Sequence, residues 1–313
     1  MLLARTAEAR RLLATLIGSL AVLMWALLAL FTTWANGLPP FQLAALCFSI
    51  AAAVGLAILA LRGPGSFRCL QRQPWQAWAI GTLGLFGCHV FYFLALGNAP
   101  AVEASLLTYL WPLLTLLFSA FLPGERLRWF HLASVLLGLI GAGFLVTGGR
   151  GFDFEACFVL GYLAALGCAL TWSFYSIMNR RFGTVPTRAV TGFCTGAAAL
   201  GFVCHFLFET WVAPNPCQWT AILLLGLGPV GLAFFVWDFG TKHGDIQALA
   251  AFAYAAPLLS TAMLIALGQG EAGWHIALAC ALIVGGALLG SIDLVRRQRL
   301  CATQPIGRND ARG

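Results

Sequence analysis

Ten runs of about twenty mostly apolar residues divide this 313-residue chain, each long enough, at about 1.5 Å per helical residue, to cross roughly 30 Å of bilayer hydrocarbon. They cover 12–34, 41–61, 75–96, 101–122, 129–147, 158–178, 189–207, 219–239, 246–267 and 274–294. None alternates polar and apolar side chains at period two, so helices are expected and a barrel is not. Charged residues make up only 9% of the chain, where a soluble domain carries roughly 25%. Such a chain has too little polar surface to face water on all sides. The fold class expected is all-α, a polytopic membrane protein with ten transmembrane helices.

The basic residues orient these spans. Counted through ten crossings, Arg5, Arg10 and Arg11 lie on the same side as Arg62, Arg68, Arg72, Arg126 and Arg128. Arg180, Arg181, Arg188, Lys242 and the five arginines after Leu294 fall there too, leaving Arg150 alone on the other side. A miscounted span would scramble this segregation. Both termini are therefore expected in the cytoplasm, with 1–11 and 296–313 as short tails. The formal charge of +7 reflects this bias, needs no nucleic acid, and suits contact with anionic lipid. A signal peptide is the other reading of the first run. However, that run is too long, lacks a clear small-residue cleavage site and leads into nine more spans.

A duplication runs through the chain. Tyr109 and Tyr254, Pro112 and Pro257, and Trp129 and Trp274 are each 145 residues apart. Trp25 and Trp172 are separated by 147, and Gly124-Glu125 and Gly270-Glu271 by 146. Two five-span repeats, 12–150 and 151–295, would have opposite orientation because five is odd, the framework of many secondary transporters.

Functional groups in such a chain are sought among those that lipid would reject. No Lys or Arg lies within a span. The acids there, Glu103, Asp238 and Asp293, stand near span ends. Near mid-depth the residues are aromatic or weakly polar: Trp25, His89, Tyr92, Tyr109, Trp111, Trp172, Tyr175, Tyr254 and Ser260. His89 and Tyr92, like Trp172 and Tyr175, are three apart and share a helix face. Trp34, Trp75, Trp129, Trp219 and Trp274 fit interfacial belts, whereas Trp25, Trp111 and Trp172 do not. A buried indole N–H needs a partner, which a helix-packing contact or a polar cavity both supply. Pro112 and Pro257 remove an intrahelical bond in mid-span, giving either tolerated kinks or paired hinges. Ser134, Gly138, Gly141, Gly286 and Gly290 mark spans five and ten as close-packing elements. Ten scattered cysteines without a CxxC indicate neither a disulfide framework nor a metal site.

The motifs Gly97-Asn98-Ala99-Pro100-Ala101, Tyr109-Leu110-Trp111-Pro112-Leu113 and Pro123-Gly124-Glu125-Arg126 are echoed by Tyr254-Ala255-Ala256-Pro257 and Gly270-Glu271. In these the chain resembles the drug/metabolite transporter superfamily with two EamA-type repeats, and most nearly its aromatic amino acid exporters. The resemblance implies a bacterial inner-membrane exporter working by alternating access. It implies a cavity lined by Tyr92, Tyr109, Trp111 and Trp172, with His89, Pro112, Tyr254 and Pro257 nearby. The position matching Trp111 in the second half is Ala256, so the site is expected to lean toward the first repeat.

Charge-free, ring-lined surroundings disfavour a highly charged substrate. They suit a zwitterionic amino acid or amphiphilic metabolite whose ring or ammonium meets indole faces. With no mid-depth carboxylate, facilitated diffusion is expected. The alternative is a proton-coupled multidrug or metabolite exporter using Glu103, His89 or Asp238. An enzyme would need a reactive constellation, and HExxH, GxSxG and paired in-span aspartates are missing. A channel would reveal itself as ionic current. No cofactor, metal or obligate protein partner is called for.

Overall fold

Long apolar runs rich in Ala and Leu leave the backbone one way to satisfy its polar groups without water, and the secondary structure among the described residues is helical throughout. The computed structural model describes residues 2–99, 104, 107–123, 125–147, 156–266, 273–290 and 292. The principal helices are α1 (Leu2–Ala26), α2 (Leu28–Trp34), α3 (Pro40–Leu61), α4 (Trp75–Asn98), α5 (Trp111–Ser119), α6 (Trp129–Thr147) and α7 (Val159–Arg181). They continue as α8 (Val190–Phe208), α9 (Pro216–Leu227), α10 (Ala233–His243), α11 (Ile246–Ala253), α12 (Ala255–Ala266) and α13 (Trp274–Gly290). Five helical stretches are long and apolar enough to cross a membrane: Ala7–Thr32, Pro40–Leu61, Ala156–Arg181, Thr187–Phe208 and Pro216–His243. Trp129–Phe144, Ile246–Leu259 and Ile276–Gly290 are shorter apolar helices. The outer surface is correspondingly apolar, with Leu61, Phe121, Leu163, Phe206 and Leu288 all exposed.

The most extensive helix pairs are α6 with α13, α4 with α7, α3 with α8, and α1 with α10. Small residues allow these approaches. A Cβ on Gly18 would stand 2.8 Å from the Gly240 Cα where α1 crosses α10. One on Gly286 would stand 2.5 Å from the Ser134 carbonyl oxygen between α6 and α13. The rest of that small-residue face is also filled from within the chain, Gly138 by the Tyr254 ring, Gly141 by Ile283 and Gly290 by Ala251.

Several spans that read as single runs are interrupted. Pro112 cannot donate to the Thr108 carbonyl, nor Pro257 to that of Ala253. The helix gives way to a turn at Tyr109-Leu110 before α5, and at Tyr254 between α11 and α12. Pro229 likewise lacks the N–H that would close on Leu225, and Gly228–Leu232 widens into a π-helix between α9 and α10. At Leu27 no proline intervenes. There the N–H bonds three residues back to the Met24 carbonyl at 3.0 Å, separating α1 from α2.

Candidate functional site

Four indoles converge where α1, α5, α7 and α10 meet. Trp25 lies 5.1 Å from Trp237, 5.4 Å from Trp172 and 6.1 Å from Trp111, measured between ring centroids. Trp111 stands edge-on to Trp237 at 5.6 Å and to Trp172 at 6.2 Å. Edge-to-face pairs of this kind contribute about 0.5–1.5 kcal/mol each beyond their burial. Phe234 joins the group against Trp172 at 5.7 Å, and Tyr175 lies 5.2 Å from Trp172. Trp172 and Trp237 are buried, while Trp25 and Trp111 stay partly accessible. The rim indoles contrast sharply: Trp75 is 73% exposed and Trp129 77%.

Two of the indoles are aimed by hydrogen bonds of their own, and a third is placed through its backbone. The Trp25 Nε1–H donates to the Pro229 carbonyl, within the π-helix, at 3.1 Å. The Trp237 Nε1–H donates to Ser176 Oγ at 3.1 Å. The Ser173 hydroxyl reaches the Trp111 carbonyl at 2.8 Å, fastening the start of α5 to α7. Trp25 and Trp111 are thus tied in place at helix interruptions, where backbone groups are released from the ladder.

His89 sits beside this group rather than in it. Its Nδ1–H donates to the Leu85 carbonyl at 2.8 Å, and its ring is edge-on to Phe48 at 5.0 Å. Tyr92, one turn further along α4, is partly buried. Tyr109 and Tyr254, the repeat mates, meet in a second cluster with Leu116, Val135 and Ile283. Tyr254 is fully buried there against Gly138. The structure therefore separates the nominated rings into two groups, tryptophans with Tyr175 in one and Tyr109 with Tyr254 in the other. Pro112 and Pro257 are both buried at the starts of α5 and α12. Glu103, Arg150, Gly124, Gly270-Glu271, Asp293 and the 296–313 tail lie outside the described residues, as does the Ser260 side chain.

Asp238 is fully buried and already engaged. Its carboxylate accepts from Lys242 Nζ at 2.7 Å and from the Thr187 hydroxyl at 2.6 Å. Lys242 also donates to the Val185 carbonyl at 2.9 Å. The pair thereby joins α10 to the chain just before α8.

Below the rings, at the basic end of the bundle, four ionic groups interlock. Arg180 donates through Nη2 to Glu125 Oε1 at 2.5 Å and through Nη1 to the Thr241 and Gly244 carbonyls at 2.7 and 2.9 Å. Arg11 donates to Asp245 Oδ2 at 2.9 Å and, more loosely, to Glu125 at 3.4 Å. Asp245 Oδ1 in turn caps α11 by accepting from the Gln247 and Ala248 N–H groups. Glu125 and Asp245 are almost entirely withdrawn from solvent.

Two features escaped sequence reasoning. Trp237 has no tryptophan mate, since the positions 145, 146 and 147 residues earlier are Tyr92, Phe91 and Val90, so the duplication did not mark it. It stands two residues from the end of the 219–239 run, where an indole reads as an interfacial residue, so its position gave no signal either. The ionic cluster joins residues 55 to 234 positions apart, and its arginines read from sequence only as topological markers.

The EamA-like transporter family model matches residues 12–147 and again 159–292. The chain is 52% identical over 286 residues to the aromatic amino acid exporter YddG of Ancylobacter novellus, spanning 91% of this chain and 98% of that protein. The exporter of the same name from Escherichia coli is 26% identical over 290 residues, 88% of this chain and 96% of that one. A solved crystal structure at 52% identity resembles this fold with a TM-score of 0.85, covering 89% of this chain and 98% of that chain.

Proposed function

The chain belongs to the EamA-like transporter family, and on that premise we propose that it exports aromatic and other neutral amino acids across the bacterial inner membrane by alternating access. The observation that carries this reading is the convergence of Trp25, Trp111, Trp172 and Trp237 from four helices onto one point. An aromatic substrate replaces ring contacts there with ring contacts of similar strength, so it binds and leaves without a large free-energy step. Its ammonium meets indole faces, each worth about 0.5–2 kcal/mol. The relatives named as aromatic amino acid exporters support the same substrate class.

Two five-helix halves, 12–150 and 151–295, supply the moving parts. Supporting this, the first long helix of each half packs on the third of the other, α1 on α10 and α4 on α7. An in-plane two-fold relation between inverted repeats produces that exchange. The basic end faces the cytoplasm with both termini, and there the Arg11, Glu125, Arg180 and Asp245 cluster holds the inner gate shut. Entry of substrate requires those contacts to part, and release requires the opposite end to open.

Transport is facilitated diffusion. Asp238 is occupied by Lys242 and Thr187, and a carboxylate so held is a poor carrier of a cycling proton. Flux of labelled phenylalanine and tryptophan into proteoliposomes tests this. With no ion gradient, internal and external concentrations should equalise through a saturable route. Accumulation that appears only under a proton gradient would instead favour the proton-coupled exporter.

A further inference from the structure

Two cysteines outside the ring cluster face each other across the α4–α7 seam. Cys88 Sγ and Cys168 Sγ are 3.3 Å apart, although the residues are 80 positions apart in sequence. Both are free thiols, Cys168 buried and Cys88 only partly so. Each stands one helical turn from a ring already described: Cys88 is four residues before Tyr92, and Cys168 four before Trp172. Cys88 also packs against the core that contains Trp172. The seam itself is tight, with Gly84 against the Tyr175 ring and Gly167 against Phe91. The remaining free cysteines in the described spans, Cys47, Cys194, Cys204 and Cys280, have no such thiol neighbour among the contacts described.

We propose that Cys88 and Cys168 form a redox-responsive dithiol in the wall of the substrate site, closed to a disulfide by an oxidised small-molecule disulfide that reaches it through the path the substrate uses. Joining the sulfurs at about 2.05 Å requires them to approach by only about 1.3 Å, within the reach of χ1 adjustments on facing helices. A substrate-sized aromatic disulfide fits the chemistry of a ring-lined route. In the first step the Cys88 sulfur attacks one sulfur of that disulfide, forming a mixed disulfide and releasing one thiol. The Cys168 sulfur then attacks Cys88 Sγ, expelling the second. Two protein thiols are oxidised to one disulfide, one external disulfide is reduced to two thiols, and the two protons pass to the released thiols.

The consequence rests on the transport reading above. α4 belongs to the first half and α7 to the second, so rocking of the halves shears this seam. A covalent bridge holds the two Cα atoms within about 7 Å of each other. Closing the disulfide therefore arrests the cycle, and reduction restores it.

The test uses the full chain in proteoliposomes treated with 2,2′-dipyridyl disulfide, followed by non-reducing digestion and mass spectrometry. The expected product is a peptide pair linked through Cys88 and Cys168. Phenylalanine flux should fall at least fivefold and recover with dithiothreitol. In Cys168→Ser the linked pair disappears, Cys88 carries only the mixed disulfide, and dithiothreitol-reversible arrest through the cross-link is lost. The site is overturned if Cys157 and Cys217 react while Cys88 and Cys168 stay free, or if Cys88 stops at the mixed disulfide. The latch is overturned if the bridge forms and flux is unchanged. Because the bridge is scored by mass, absence of flux in untreated protein would count against the transporter reading alone.

Discussion

The middle of this molecule and its basic end are built from opposite chemistry. In the middle, four indoles meet through contacts of about a kilocalorie each, held by single hydrogen bonds to Pro229 and Ser176. At the basic end, two arginines, a glutamate and an aspartate are tied by charge-assisted bonds across sequence separations of 55 to 234 residues. A site of interchangeable ring contacts suits a guest that must come and go. An ionic lock suits a gate, because its geometry is right in one arrangement and lost in the other. On the proposed reading, recognition and direction are carried by separate regions, and mutations should then affect them separately.

The sharpest break in that comparison comes from the buried pair beside the rings. Asp238→Asn leaves Lys242 uncompensated at a buried position, which costs about 3–5 kcal/mol. A large fall in thermal unfolding temperature in detergent is expected, with the flux of the surviving folded protein still independent of a proton gradient. A selective loss of pH-dependent transport without destabilisation would return Asp238 to a coupling role.

Glu125→Gln weakens the acceptor shared by Arg11 and Arg180. Charge-assisted hydrogen bonds contribute about 1.5–3 kcal/mol, so the open fraction at the basic end should rise about tenfold or more. Spin labels at Arg128 and His243 should show an added longer-distance component, while ring-site affinity is unchanged. If the distances stay fixed, the cluster is structural and the gate lies elsewhere.

Trp111→Ala removes one wall of the ring site and should lower kcat/KM for phenylalanine roughly tenfold, with the Arg128–His243 distances unaltered. Normal flux would mean the side chain only packs. The smallest effect is expected from Trp25→Phe, which keeps a ring but abandons the bond to Pro229. The loss of about 1 kcal/mol should appear as a rise in KM of about fivefold with kcat near that of the parent chain.

Much of this was legible in the sequence, for reasons that can be assigned residue by residue. Trp25 and Trp172 announced themselves because a mid-depth indole is out of place in lipid and because their spacing repeats. Pro112 and Pro257 marked the helix interruptions at Tyr109-Leu110 and Tyr254 through the hydrogen bonds they cannot make. The break at Leu27 was silent, since no proline or glycine stands there, and so was the part Pro229 plays through the π-helix that feeds Trp25. Tyr109 and Tyr254, expected in or near the site, stand at the turns before α5 and after α11 and meet in a cluster of their own with Val135 and Ile283, a grouping that their matched spacing does not reveal. Arg11 and Arg180 are basic residues at span ends, and nothing local distinguishes an arginine that only marks topology from one that joins an ion-pair cluster. Only the folded chain brings Glu125 and Asp245 to them.

The account stands on the indoles of the middle, and not those of the rim, being the ones a substrate touches. Fluorine NMR of protein labelled throughout with 5-fluorotryptophan separates the two sets directly, with single Trp→Phe substitutions assigning the signals. On titration with phenylalanine, saturable shifts are predicted for Trp25, Trp111, Trp172 and Trp237, with Trp75, Trp129 and Trp274 unmoved. Shifts confined to the rim, or four central signals that stay fixed while flux proceeds, would contradict it.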